Sequence, residues 1–200
     1  ENLHELMQAH PLGLLVTNGV SGLHASPVPF LLYPDEGEYG VLRTHMARAN
    51  PHWKELFGLA ECLVVLQGAE GYITPSWYPS KAETHKVVPT WNYATVHAWG
   101  MASVVDDAAW LRRQLNDLTG YHEKPRLQPW SVDDAPADYV VAQMKAIIGI
   151  EISIRRIEGK YKMSQNKDET DRAGVLRGML DGDDPHSDVQ LAHFVGRAQN

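Results

Sequence analysis

The apolar run Leu12 to Thr17 ends in Asn18-Gly19, and after Gly22 a second run from Leu23 to Tyr33 carries Val28, Phe30, Leu31 and Leu32. Two such runs joined through Asn-Gly read as a β-hairpin, because the tight turns that match the twist of paired strands need residues tolerant of positive φ. A chain that opens this way commits to antiparallel pairing, which short turns can continue without crossover helices. Pro27 and Pro29 cannot donate to a ladder and place the second strand at an edge or a bulge.

Around this hairpin the pattern extends. Leu3 to Ala9 has helical spacing and stops at His10-Pro11. Glu38 to Thr44, Glu61 to Gln67, Tyr72 to Pro75 and Asn92 to Val105 read as further strands, with Gly68 expected to break the third apolar run. Pro51 to Phe57 reads as a short helix, and Ser76 to Thr90 as a long aromatic connection of the kind that usually carries function. From an N-cap at Asp106 the spacing turns helical as far as Gly120, and a second helix runs from Ala135-Pro136 to Ile147. Gly149 to Ile157 alternates like a half-buried strand, and polar helices follow over Asp168 to Met179 and Asp188 to Ala198. Six or seven mostly antiparallel strands with late helices predict an α+β barrel rather than a doubly wound sheet. One domain over 1–200 is expected, with a helical insertion at 106–147 and a helical extension at 168–200.

The net charge of −7 repels a phosphate backbone, so contact with DNA would need a local basic patch. The single cysteine, Cys62, lies in an apolar run and reads as a buried reduced thiol, which together with the absence of a signal peptide or a span of about 20 apolar residues predicts a soluble cytosolic protein. Opening on Glu1 inside a helix, the chain is expected to follow a short upstream segment.

Four segments concentrate polar donors and flat rings: Thr44 to Trp53, Tyr72 to Lys81, Val88 to Tyr93 and Lys160 to Asn166. A phosphorylated planar cofactor needs cations and small donors for its phosphate, aromatic walls for its ring and amides for its heteroatoms, and these segments supply all three. Thr44, His45, Arg48 and Asn50 cluster where a strand meets a helix start, a natural place for a phosphate, though a capped helix with Arg48 in solvent has the same composition. Trp77 and the aromatics at strand ends also suit an ordinary core or interface.

Other chemistries lack their motifs. The chain has ten histidines but no paired helical spacing, and Cys62 has no cysteine partner, so no metal site is expected. Gly-x-Ser-x-Gly, the dinucleotide glycine fingerprint and the P-loop lysine motif are absent, and nothing in the spacing of Ser76, Ser80 and His85 favours a nucleophile and base. Asp133-Asp134, the acidic run from Asp181 to Asp184, and His122-Glu123 read as caps, linkers and solvated surface.

Taken in order, Leu6-Met7 with His10-Pro11-Leu12-Gly13, Pro29-Phe30-Leu31-Leu32, His45 to Pro51, Tyr72 to Lys81, Val88 to Tyr93, and Gly159-Lys160 through Ser164-Gln165-Asn166 resemble the PaiB-type FMN-binding negative transcriptional regulators over nearly the whole length. The resemblance implies an FMN-binding split β-barrel, a cytoplasmic homodimer and an FMN cleft between subunits. It places the phosphate at Thr44, His45, Arg48 and Asn50, the ring or dimer seam at Trp77, Lys81, Trp91 and Asn92, and an approach by Lys162 and Gln165 from a late element. It also implies a flavin-dependent sensor or repressor with DNA as a partner, although no helix-turn-helix or basic face is visible. An FMN-dependent oxidoreductase of the pyridoxamine-phosphate-oxidase or flavin-reductase type is the alternative, and a haem-binding barrel using one of the histidines is the third. No residue has a catalytic role by this reading. The family often carries histidine where this chain has Pro27.

Overall fold

The structure is a computed structural model that describes residues 2–58 and 61–197. It divides into two compact units, one comprising 1–66 with 96–158 and the other 67–95 with 159–200. Within the described residues the elements run α1 (Asn2–Ala9), β1 (Leu12–Gly19), β2 (Gly22–Pro29), β3 (Leu31–Tyr33), β4 (Val41–Ala47), β5 (Cys62–Ile73), α2 (Ser80–Thr84), β6 (Thr90–Val105), α3 (Ala108–Glu123), α4 (Ala137–Lys145), β7 (Ile147–Lys162), α5 (Glu169–Leu180) and α6 (Val189–Arg197). Short 3₁₀ turns occupy Pro51–Leu56, Pro75–Trp77 and Val132–Asp134.

The first unit contains a portion of every strand. The seven-stranded sheet has the order β2-β1-β5-β6-β7-β4-β3. The β1–β2, β1–β5, β3–β4 and β4–β7 pairs are antiparallel. Its two edge strands, β2 and β3, are separated in the chain by Phe30 alone, so the sheet must curl until its edges meet. The Thr44 hydroxyl on β4 donates to the Pro29 carbonyl on β2 at 2.6 Å, across that seam. Strand alternation fills the interior: Leu15, Leu42, Met46, Val64, Leu66, Val96, Ala98, Ile148, Ile150 and Ile152 are all buried. Gly13 leaves room for the Phe30 ring, which a Cβ there would meet at 3.0 Å. Cys62 is buried and its thiol is pushed up to about 12, first by desolvation, so it remains protonated. The segment between β6 and β7 forms α3 and α4, whose Leu111, Val132, Val140 and Met144 make a satellite core. Asp107, rather than the expected Asp106, caps α3 by accepting from the Trp110 N–H at 2.7 Å, and α3 continues through Gly120.

In the second unit the ends of β5, β6 and β7 accompany α2, α5 and α6. Gly68 does not end the Glu61 to Gln67 run: β5 passes through it to Ile73, because the ladder tolerates a half-buried glycine where its neighbours stay extended. The terminal helices are not merely polar. α5 buries Asp171, Gly174, Val175, Gly178 and Met179, while α6 buries Leu191, Ala192 and Val195. The expected end of α6 at Ala198 falls outside the described residues. No described helix is long and apolar enough to cross a membrane.

Candidate functional site

The strand β4 alternates Leu42, Thr44 and Met46 toward the barrel interior with Arg43 and His45 on the outer face. Thr44 is fully buried and its hydroxyl serves the barrel seam. His45 sits under α3, with its Nδ1 2.8 Å from Gln114 Oε1; since that oxygen can only accept, Nδ1 carries the proton. Past the end of the strand Arg48 Nε donates to the Lys145 carbonyl at 3.0 Å, and the guanidinium forms a two-pronged pair with Asp106 that raises the arginine and lowers the carboxylate. Asn50 caps the following 3₁₀ turn, its Oδ1 accepting from the His52 N–H at 3.0 Å.

Beyond Asn50 lies a buried polar group that spacing alone did not reveal. His52 is 2% exposed and stands between two hydroxyls, with Thr17 Oγ1 2.8 Å from Nε2 and Ser26 Oγ 2.8 Å from Nδ1. Asn50 Nδ2 donates to the same Ser26 oxygen at 3.3 Å, and the His24 ring lies 5.5 Å from that of His52. Burial, and after it His24, lowers the His52 pKa, so the ring is held neutral. The only sequence clue was a histidine directly after Asn50-Pro51; its partners lie on the β1–β2 hairpin.

The remaining six expected residues belong to the second unit. Trp77 and Lys81 share an open groove of about 590 Å³ with Ser76, His85 and Arg177. The Trp77 indole is 8% exposed and donates to Asp184 Oδ2 at 2.9 Å. Lys81 Nζ reaches Ser76 Oγ at 3.5 Å. Asn92 is fully buried, its amide exchanging hydrogen bonds with the Ser164 hydroxyl at 3.0 and 3.2 Å, which holds Ser164 at a φ of 59°. Lys162 Nζ donates to Thr90 Oγ1, while Gln165 folds back on its own turn, accepting from Met163 N–H and donating to the Tyr161 carbonyl, both at 2.6 Å. Trp91 is 54% exposed and meets Tyr72 edge to face.

The curled antiparallel sheet with helices between its last two strands is the FMN-binding split-barrel fold. A flavocytochrome from Azotobacter vinelandii superposes with a TM-score of 0.55 over 86% of this chain and 71% of its own, at 17% identity. The chain belongs to the family described as "Putative FMN-binding domain", whose pattern spans residues 1–156, and FMN is the cofactor of that family. A protein of Emericella nidulans is 37% identical across 88% of this chain and 84% of its own length. A Bacillus subtilis protein named protease synthase and sporulation protein PAI 2 is 29% identical over 98% of this chain and 90% of its own.

The donor set past β4 suits the phosphate end of FMN. Arg48 offers a permanently charged, planar fork, and its partner Asp106 has a side chain 64% exposed, so the pair is screened by water and can be exchanged for a dianion. His45 and Asn50 stand on either side of it in the chain, the imidazole held by Gln114 and the amide by Ser26 and the His52 N–H.

Proposed function

We propose that this protein binds FMN with its phosphate at the end of β4, Arg48 releasing Asp106 to form the main charge-assisted contact while His45 and Asn50 line the approach. The observation that carries the reading is the Arg48–Asp106 pair: a guanidinium anchored through Nε to the Lys145 carbonyl but with its outer nitrogens on an exposed, replaceable carboxylate. Thr44 supports the segment from inside the barrel. The second unit, taken by itself, offers the chemistry a planar ring takes, in the exposed face of Trp91 and the ammonium of Lys81, with Trp77, Asn92, Lys162 and Gln165 holding its turns. Bound flavin supplies reversible one- and two-electron chemistry, and these side chains supply retention and orientation.

The chain works as a homodimer in this reading. Support comes from the outer face of the β1–β2 hairpin, where Leu12, Leu14 and Leu23 are exposed at 66%, 37% and 78%, beside Pro27, which lies opposite Leu14 in the register. Such a run of apolar side chains on one sheet face suits a second copy. The name of the Bacillus relative supports a regulatory rather than metabolic output, with flavin occupancy shifting a conformational balance that alters gene expression.

The test is the visible spectrum of the purified protein after FMN loading and gel filtration. Retained flavin near one per chain is expected, and Arg48→Ala should lower affinity about tenfold or more. A folded variant that retains FMN equally well removes the phosphate assignment. A Soret band would point to haem, and steady NAD(P)H oxidation by the loaded protein to an oxidoreductase. Salt-resistant, flavin-dependent retardation of its own upstream DNA supports the regulatory output, and its absence at moderate salt argues against direct repression.

A further inference from the structure

Where α3 lies on the outer face of β3 and β4, a cavity of about 140 Å³ is lined by Tyr33, Arg43, Trp110, Arg113, Gln114 and Asp117. Its walls are fixed from both sides. A Cβ on Gly149, the register partner of His45, would stand 2.4 Å from the Trp110 ring, so only glycine lets that indole lie against the sheet. Arg43 is clamped by Glu36 and Glu151 and stacks 4.1 Å from the centre of the Tyr33 ring. The Tyr33 hydroxyl in turn donates to Asp117 Oδ2 at 2.6 Å; burial and then that carboxylate push the phenol up to about 12.

The hydrogen-bond inventory of this cavity is lopsided. Acceptors with fixed partners include Asp117 Oδ2, taken by Tyr33, the Glu36 and Glu151 carboxylates, taken by Arg43, and Gln114 Oε1, taken by His45. Donors are left over. Gln114 is 1% exposed, yet its Nε2 is buried with no partner, and Arg113 at the rim has none among the described residues. A buried amide nitrogen without an acceptor is destabilising, and a ligand that brings acceptors would relieve it.

We propose that this cavity is a binding site for a small carboxylate, its oxygens accepting from Gln114 Nε2 and the Arg113 guanidinium and its short carbon skeleton resting against Trp110. The volume corresponds to only a few water molecules at about 30 Å³ each, which limits the ligand to a short-chain acid such as acetate or pyruvate. Arg43 contributes little of the attraction because two carboxylates already neutralise it; Arg113 supplies the attraction, against the Asp117 carboxylate, which only the neutral Tyr33 hydroxyl partners. The site touches the flavin reading only through Gln114, whose Oε1 holds His45; Arg113 and Trp110 lie outside that reading, so the Arg113 variant tests the cavity alone.

Calorimetric titration of the whole protein with acetate, pyruvate and, as an oversized control, citrate tests it. Saturable binding of acetate or pyruvate at one per chain is expected, with no site-specific binding of citrate. Arg113→Gln alters only an exposed side chain and should weaken binding at least tenfold with the thermal midpoint unchanged. Gln114→Glu, which replaces the amide donor with an acceptor, should abolish binding; its fold is checked by circular dichroism. Absence of saturation up to about 10 mM, equal binding by the Arg113 variant, or a crystal soaked in acetate that shows only water between Trp110 and Gln114 would each overturn the proposal.

Discussion

The two units solve the packing problem in opposite ways. In the barrel unit, large branched side chains do the filling: Ile148, Ile150 and Ile152 on β7 are at most 1% exposed and project inward at every second residue. In the other unit the decisive contacts come from missing side chains. A Cβ on Gly174 would lie 2.1 Å from the Trp77 carbonyl oxygen, and one on Gly178 would lie 2.3 Å from the Trp77 indole. The helix α5 therefore meets the Trp77 turn almost backbone to backbone, and polar bonds finish the fit: Asp171 accepts from the Ser80 N–H and hydroxyl, and Asp184 from the indole. A core of side chains tolerates trimming at a graded cost. A core built on glycine fails when an atom is added.

Four substitutions sharpen or break this contrast. Ile150→Ala removes fully buried barrel volume and should cost about 2–5 kcal/mol in urea unfolding; a cost under 1 kcal/mol would mean that the barrel, not the helical unit, is the loosely packed one. Gly174→Ala should cost about 1–3 kcal/mol through overpacking, despite the better helix propensity of alanine. If it stabilises instead, the backbone contact with Trp77 is not a constraint. Third comes pH. His10 and His52, both in the barrel unit, are held below the ordinary histidine value by burial. The unfolded chain binds protons first as pH falls, so stability is full above about pH 6.5 and is lost progressively below it. His52→Gln should flatten that slope in unfolding midpoints measured between pH 7.5 and 5.5. Smallest is Gly120→Ala on α3, where a Cβ would meet nothing within 4 Å; it should stabilise by about 0.5–1 kcal/mol.

The same contrast explains what could be read from the sequence. Barrel strands are legible because alternation of apolar and polar residues is the strand period itself, as in Ile150, Ile152 and Ile154 against Glu151, Ser153 and Arg155. Their lengths were less legible: β4 runs on to Ala47 and β5 through Gly68, since ladder bonds rather than side chains set where a strand stops. The core of the second unit escaped notice because Gly174 and Gly178 carry no hydrophobic signal and Asp171 carries a contrary one. At the candidate site the donor types were readable in Thr44, His45, Arg48 and Asn50. Their partners were not, because Gln114 and Asp106 are 69 and 58 residues away from His45 and Arg48 and only the folded sheet brings them near.

Phe30 joins two strands that are chain neighbours but stand at opposite ends of the sheet order. The β1–β2 and β3–β4 pairs can form as soon as they leave the ribosome, whereas the other edge of β4 must wait for β7, whose Ser153 pairs with Val41 and Ile147 with Ala47. At about 5–20 residues per second, that wait is on the order of ten seconds, with the β7-facing edge of β4 unpaired throughout. Holding nascent chains in solution until the seam closes is therefore a burden on the cell's chaperones, and slowing synthesis between β4 and β7 should raise the aggregated fraction more than an equal delay after β7.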